Sequence, residues 1–105
     1  MRLRVHGTPD RPRLIIQRSL KNLYAQVIDD TESKTIFSSS TLDKEIREKF
    51  PYAGNIKAAE FFSQVFAGKL KDKGIKKIVF DRAGYLYHGR IKAFADGLRK
   101  QGFEF

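Results

Sequence analysis

Ile78-Val79-Phe80-Asp81-Arg82-Ala83-Gly84-Tyr85-Leu86-Tyr87-His88-Gly89-Arg90-Ile91 holds the two signals that decide the fold. Its first three residues form a short apolar run, the pattern of a buried strand. From Ile91 the apolar residues recur at helical spacing, through Phe94, Ala95 and Leu98. The stretch is therefore a strand-to-helix connection, where open α/β sheets tend to place ligand sites. Arg82 and Arg90 bring fixed positive charge to it, and Tyr85, Tyr87 and His88 bring flat rings with polar tips. Backbone N–H groups at the start of the following helix favour an anion. Rings, cations and free amides together suit nucleic acid better than a small neutral substrate.

Working outward, the segment before this strand reads as a long amphipathic helix. Asn55 is a capping residue type. Ile56, Ala59, Phe62, Val65, Phe66 and Leu70 come after it at three- and four-residue spacing, and Gly74 is placed to stop the helix. Residues 40–54 form a weaker stretch. Ser40 and Asp43 resemble a capping signal for a short helix over Asp43–Lys49, and Pro51 and Gly54 break the pattern beyond it. Earlier still, three short segments alternate or cluster apolar residues in the manner of strands: Arg13–Ser19, Asn22–Asp29 and Lys34–Ser39. The connections Leu20-Lys21 and Asp30–Ser33 are short enough to make them antiparallel neighbours. The last helix runs to about Gln101, Gly102 stops it, and Phe103 and Phe105 fold back onto the core. The predicted fold is α/β (α+β): a mixed sheet of about four strands, in the order β-β-β-α-β-α, with two main helices on one face. The other face is open and carries Gln17, Tyr24 and Gln26. Residues 1–12 read as a flexible basic N-terminal arm and 13–105 as one globular domain.

The 105 residues carry a formal charge of +9, and cysteine is absent. Disulfides and thiolate metal sites are thereby excluded, and a cytoplasmic setting is expected. No apolar run is long enough to span a membrane. Residues 1–28 carry a net +5, residues 29–50 a net −2 and residues 51–105 a net +6, so the positive charge sits towards both ends. Such a chain attracts polyanions. Lys69, Lys71, Lys73, Lys76 and Lys77 read as a solvated surface around one helix end.

Enzyme signatures are weak. His6 and His88 are the only histidines, and no cluster has the spacing of a metal site. Asp29, Asp30 and Asp81 fall at predicted strand ends, which raises the alternative of a divalent-metal nuclease. The first strand holds no acid, however, and Asp81 is expected to cap the loop or to pair with Arg82. Ser38 to Thr41 have no base nearby to activate a nucleophile. A protein-interaction module using the open sheet face is a second alternative.

The nucleic-acid reading has three parts. A basic arm offers Arg2, Arg4, Arg11 and Arg13. The first hairpin offers Arg18, Lys21, Asn22 and Tyr24, with Gln26 beyond them on the open face. The strand-to-helix connection offers Arg82, Tyr85, Tyr87, His88, Arg90 and Lys92. Arginine bridges phosphate oxygens in pairs, and Tyr or His stacks on unpaired bases.

Val79 to Arg90 resembles the most recognisable segment of bacterial large-subunit ribosomal protein eighteen. Arg11-Pro12-Arg13-Leu14 and Tyr24-Ala25-Gln26-Val27-Ile28-Asp29-Asp30 look like that family's early strands. Gly54-Asn55 with Ala58-Ala59 is similar to its first long helix start, and Gly102-Phe103-Glu104-Phe105 to its ending. The resemblance covers nearly the whole chain. It implies a structural, non-enzymatic protein with no cofactor and no small-molecule substrate. It implies binding to 5S rRNA in the central protuberance of the large subunit, beside 23S rRNA and neighbouring 5S-binding ribosomal proteins. Two departures stand out. Family members usually open with a longer Lys/Arg-rich tail, matched here only by Met1 to Arg4, and Ala83 stands where glycine is common.

Overall fold

The computed structural model describes residues 7–51, 54–81, 89–103 and 105. Three antiparallel strands open the domain: β1 (Arg13–Arg18), β2 (Leu23–Asp29) and β3 (Lys34–Ser40). A short helix α1 (Lys44–Arg47) and a long helix α2 (Ile56–Asp72) come next. Then come β4 (Val79–Asp81), parallel to β1, and α3 (Gly89–Lys100). The sheet order is β3-β2-β1-β4. This is the predicted mixed sheet with two main helices.

Alternation along the strands decides which face the helices cover. Leu14, Ile16, Leu23, Ala25 and Val27 are fully buried. Gln17, Tyr24 and Gln26 point the other way and are exposed, as predicted. Across the open face, Tyr24 pairs with Gln17 on one side and Ser40 on the other, and Gln26 with Ile15 and Ser38. An irregularity between Val27 and Ile28 shifts the β2–β3 register beyond these rows.

The apolar stripe of α2 meets that of α3 over the covered face. Phe62, Phe66 and Phe94 are fully buried, with ring centroids 5.1–5.8 Å apart, and Phe66 also stacks on Phe37 of β3 at 5.0 Å. Each such ring contributes about 1.5–3 kcal/mol by leaving water. Ile56, counted into the stripe by its spacing, is 50 % exposed instead. It stands on the first turn of α2 and lines the cleft between α2 and α3.

The ends of α2 and the C-terminal end of α3 obey the sequence signals, whereas at α1 the Asp43 side chain makes no capping bond. The Asn55 side chain accepts from the Ala58 N–H at 2.8 Å. Gly74 (φ 74°) and Gly102 (φ 97°) stand just past α2 and α3. In both, the next residue (Ile75 or Phe103) donates its N–H back to a leucine carbonyl, Leu70 or Leu98. This left-handed ending satisfies carbonyls that the helix leaves over. Phe103 is buried and Phe105 stacks on Phe80 at 5.3 Å, so the chain end does return to the core. Among the lysines read as solvated, Lys69 is not. Its Nζ lies 2.8 Å from Glu45 and 3.5 Å from Asp43, tethering α2 to α1.

Residues 7–12, the described part of the arm, make hydrogen bonds to the sheet and to one another. Gly7 donates to the Asp30 carboxylate at 2.7 Å and accepts from the Asp30 N–H at 3.1 Å. Thr8 and Arg11 exchange backbone hydrogen bonds, and Pro12 accepts from Val79. These contacts are made by the backbone, which side-chain periodicity does not report. Residues 1–6, with Arg2 and Arg4, lie outside the described residues.

Candidate nucleic-acid interface

The β1–β2 turn is where the cationic residues gather. Ser19 donates its N–H to the Asn22 carbonyl at 2.9 Å, and Asn22 donates its N–H to Ser19 Oγ at 3.2 Å. Thr41, just past β3, fastens this turn to the sheet. Its hydroxyl donates to Asn22 Oδ1 at 2.8 Å and accepts from the Leu23 N–H at 3.1 Å. Arg18 and Lys21 are exposed on either side of the tip, and Tyr24 emerges beside them on the open face, 37 % exposed.

Arg90, on the first turn of α3, reaches this turn from the other direction. One guanidinium nitrogen donates to the Ser19 carbonyl at 2.8 Å across 71 residues of sequence. The other terminal nitrogen is buried and has no hydrogen-bond partner among the described residues. The hairpin and the start of the last helix, two of the three parts read from sequence, are thus joined at one end of the molecule. Arg82, Tyr85, Tyr87 and His88, on the connection from β4 to α3, lie outside the described residues.

Not all candidates join this cluster. Arg11 and Arg13 are at the far end of β1, about 17 Å from Arg18 at the rise of a strand. Arg13 is committed to the fold. It donates in pairs to Asp30, at 2.9 and 3.1 Å, and again to Asp81 at 3.0 Å. The bonds to Asp30, reinforced by Asp81 and opposed by partial burial, hold its pKa above the ordinary value. Its charge is then constant through the neutral range, and the part of the stability that rests on the raised pKa is lost as pH rises into strong alkali. Lys92 is exposed, and Asp96, one helical turn on, lies 2.8 Å away. Sequence did not single out Ser19, and it raised Thr41 only as a hydroxyl with no base to activate it. A carbonyl acceptor leaves no mark in a sequence, and Thr41 looks like any strand-end hydroxyl.

The same contacts answer the nuclease alternative. The guanidinium of Arg13 occupies the space between Asp30 and Asp81, where a metal would need to sit. Asp29 turns away and accepts from the Thr31 N–H and hydroxyl at 3.0 and 2.6 Å. Asp81 pairs with Arg13; the loop it was expected to cap and Arg82, its other expected partner, lie outside the described residues. Among the described residues no cluster of acids or histidines is arranged to hold a metal ion.

Residues 1–105 match the family described as ribosomal L18 of archaea, bacteria, mitochondria and chloroplasts. Relatives named large ribosomal subunit protein uL18 align over the whole chain and 86 % of their own length. That of Acetivibrio thermocellus is 52 % identical, that of Thermotoga petrophila 53 % and that of Dictyoglomus turgidum 48 %.

Proposed function

Since the chain belongs to the ribosomal L18 family, and is therefore a structural, ribosome-bound constituent of the large subunit in the cytoplasm and not an enzyme, we propose that it binds 5S rRNA and helps to attach it to 23S rRNA in the central protuberance, beside neighbouring ribosomal proteins. The observation that carries the reading is the bond from Arg90 to the Ser19 carbonyl. It makes one cationic end out of two distant segments. Arg18, Lys21 and Arg90 supply phosphate contacts there, and Asn22, Tyr24 and Gln26 supply hydrogen bonds and a ring for the open-face side. Arg2, Arg4, Arg82, Tyr85, Tyr87 and His88 belong to the proposed interface by their residue types and by resemblance to the family. Arg11 and Lys92 are peripheral to it. Arg13 acts through the fold.

The test is a binding titration with 5S rRNA against tRNA of matched length. Tight binding to the first and weak binding to the second is expected, and equal affinity for both would overturn the 5S assignment. Arg90→Ala is expected to weaken 5S binding about tenfold, through loss of a charge-assisted contact, while thermal melting shows a folded chain. Affinity equal to the parent would remove Arg90 from the interface. For about five phosphates contacted, a plot of log affinity against log salt falls with a slope of roughly −3.5 to −4.5. A flat plot would instead favour a protein-interaction module.

A further inference from the structure

Leu20 is 81 % exposed at the tip of the β1–β2 turn, the most exposed of the large apolar side chains described. Single exposed leucines are common and need no special account. Three observations set this one apart. First, folding does not use it: its side chain is not part of the buried core, and turn positions ordinarily favour Gly, Asn, Asp or Ser. Second, the tip that presents it is braced. Ser19 and Asn22 close the turn, Thr41 ties Asn22 to the sheet, and Arg90 holds the Ser19 carbonyl. A side chain on a braced tip is ordered against a partner at low entropic cost. Third, its surroundings select the partner. Exposed Arg18 and Lys21 flank it, and Arg90 lies behind it, so an apolar knob stands inside a cationic rim.

A polyanion that also offers apolar surface fits that combination, and RNA with an unstacked base is such a ligand. Base faces are hidden in a continuous helix and become available in loops and bulges. Apolar side chains are known to wedge against bases that have left the stack. Resting on the RNA-binding reading above, we propose that Leu20 packs its side chain against the face of an unpaired base in the bound RNA, while Arg18 and Lys21 hold the adjoining phosphates. This gives the hairpin a preference for a loop or bulge over a plain duplex.

The experiment compares the parent, Leu20→Ser and Leu20→Met in titrations with refolded 5S rRNA at several salt concentrations, beside thermal melts. Leu20→Ser is expected to lose about tenfold in affinity, the scale of returning most of a leucine side chain to water, with an unchanged salt slope and an unchanged melt. Leu20→Met, which keeps the apolar volume, is expected to stay within about twofold of the parent. Affinity of Leu20→Ser equal to the parent overturns the contact and leaves the RNA reading intact. A shallower salt slope for Leu20→Ser also overturns it, because the loss would then come from displaced phosphate contacts. Absence of salt-dependent 5S binding by the parent itself would take down the RNA reading, and this inference with it.

Discussion

Arg13→Ala lowers the unfolding free energy by about 2–3 kcal/mol and leaves the surface charge near the hairpin unchanged. The reason is what remains behind. Asp30 and Asp81 both bond to the guanidinium, and their side chains are only 19 % and 12 % accessible. Removing one partner of a buried ion pair costs about 3–5 kcal/mol, because the other charge stays desolvated. Residual water contact places this site below that range. Asp30 keeps the Gly7 N–H as a donor, and the change removes the Arg13–Asp81 bond beside the β1–β4 contact. Urea unfolding of parent and variant measures the difference. A variant as stable as the parent at pH 7 would show that the triad does not support the sheet. Adding Asp81→Asn to Arg13→Ala is expected to recover part of the loss, since one largely buried charge is then gone. The triad also separates two meanings of a basic arm. Arg18 and Arg13 lie on one strand and carry the same charge, yet Arg13 is committed to internal order.

That distinction shows where sequence stops being legible. The alternation Leu23, Ala25, Val27 against Tyr24 and Gln26 is local, so it marks the buried and open faces of β2 by itself. Asn55, Gly74 and Gly102 are likewise local signals, and the helix ends fall where they stand. The Arg13–Asp81 bond spans 68 residues and depends on the parallel register that sets Ile15 opposite Asp81. Nothing near Asp81 in sequence favours Arg13 over its neighbour Arg82. The joining of hairpin and α3 was legible only as two cationic segments. Its fastener is a backbone carbonyl at Ser19, and a sequence does not distinguish one carbonyl from another. Leu20 is hidden for a related reason: as one letter, an exposed leucine and a core leucine are the same.

Gly97→Val is expected to destabilise the domain by about 3 kcal/mol. A Cβ placed at Gly97 would lie 1.9 Å from Ser63 Oγ and 2.7 Å from Ser63 Cβ. Real carbon atoms do not approach so closely, so α2 and α3 must part. Turning the Ser63 hydroxyl aside does not solve the problem. The Cβ contact would persist, and the hydroxyl would abandon its 2.6 Å bond to the Glu60 carbonyl. Overpacking of this kind costs about 1–3 kcal/mol, more for a branched side chain held between two backbones. Gly97→Ala regains roughly 1 kcal/mol of helix propensity over glycine, so it should be milder. The test is a double-mutant cycle. Moving the small residue to the other helix, with Gly97→Ala and Ser63→Gly together, relieves the overlap and should be more stable than the sum of the two single changes predicts. Strict additivity would mean that the helices adjust freely and that Gly97 sets no distance. The consequence reaches the RNA-binding end. Arg90 rides on the first turn of α3, so a displaced α3 loosens the bond to Ser19 and the brace behind Leu20. At a temperature where Gly97→Ala is still folded, its affinity for 5S rRNA should therefore fall severalfold, although residue 97 stands two helical turns along α3 from Arg90. The Ser63→Gly partner should restore affinity along with stability. Restored stability without restored affinity would show that the seat of α3 on α2 does not govern the position of Arg90.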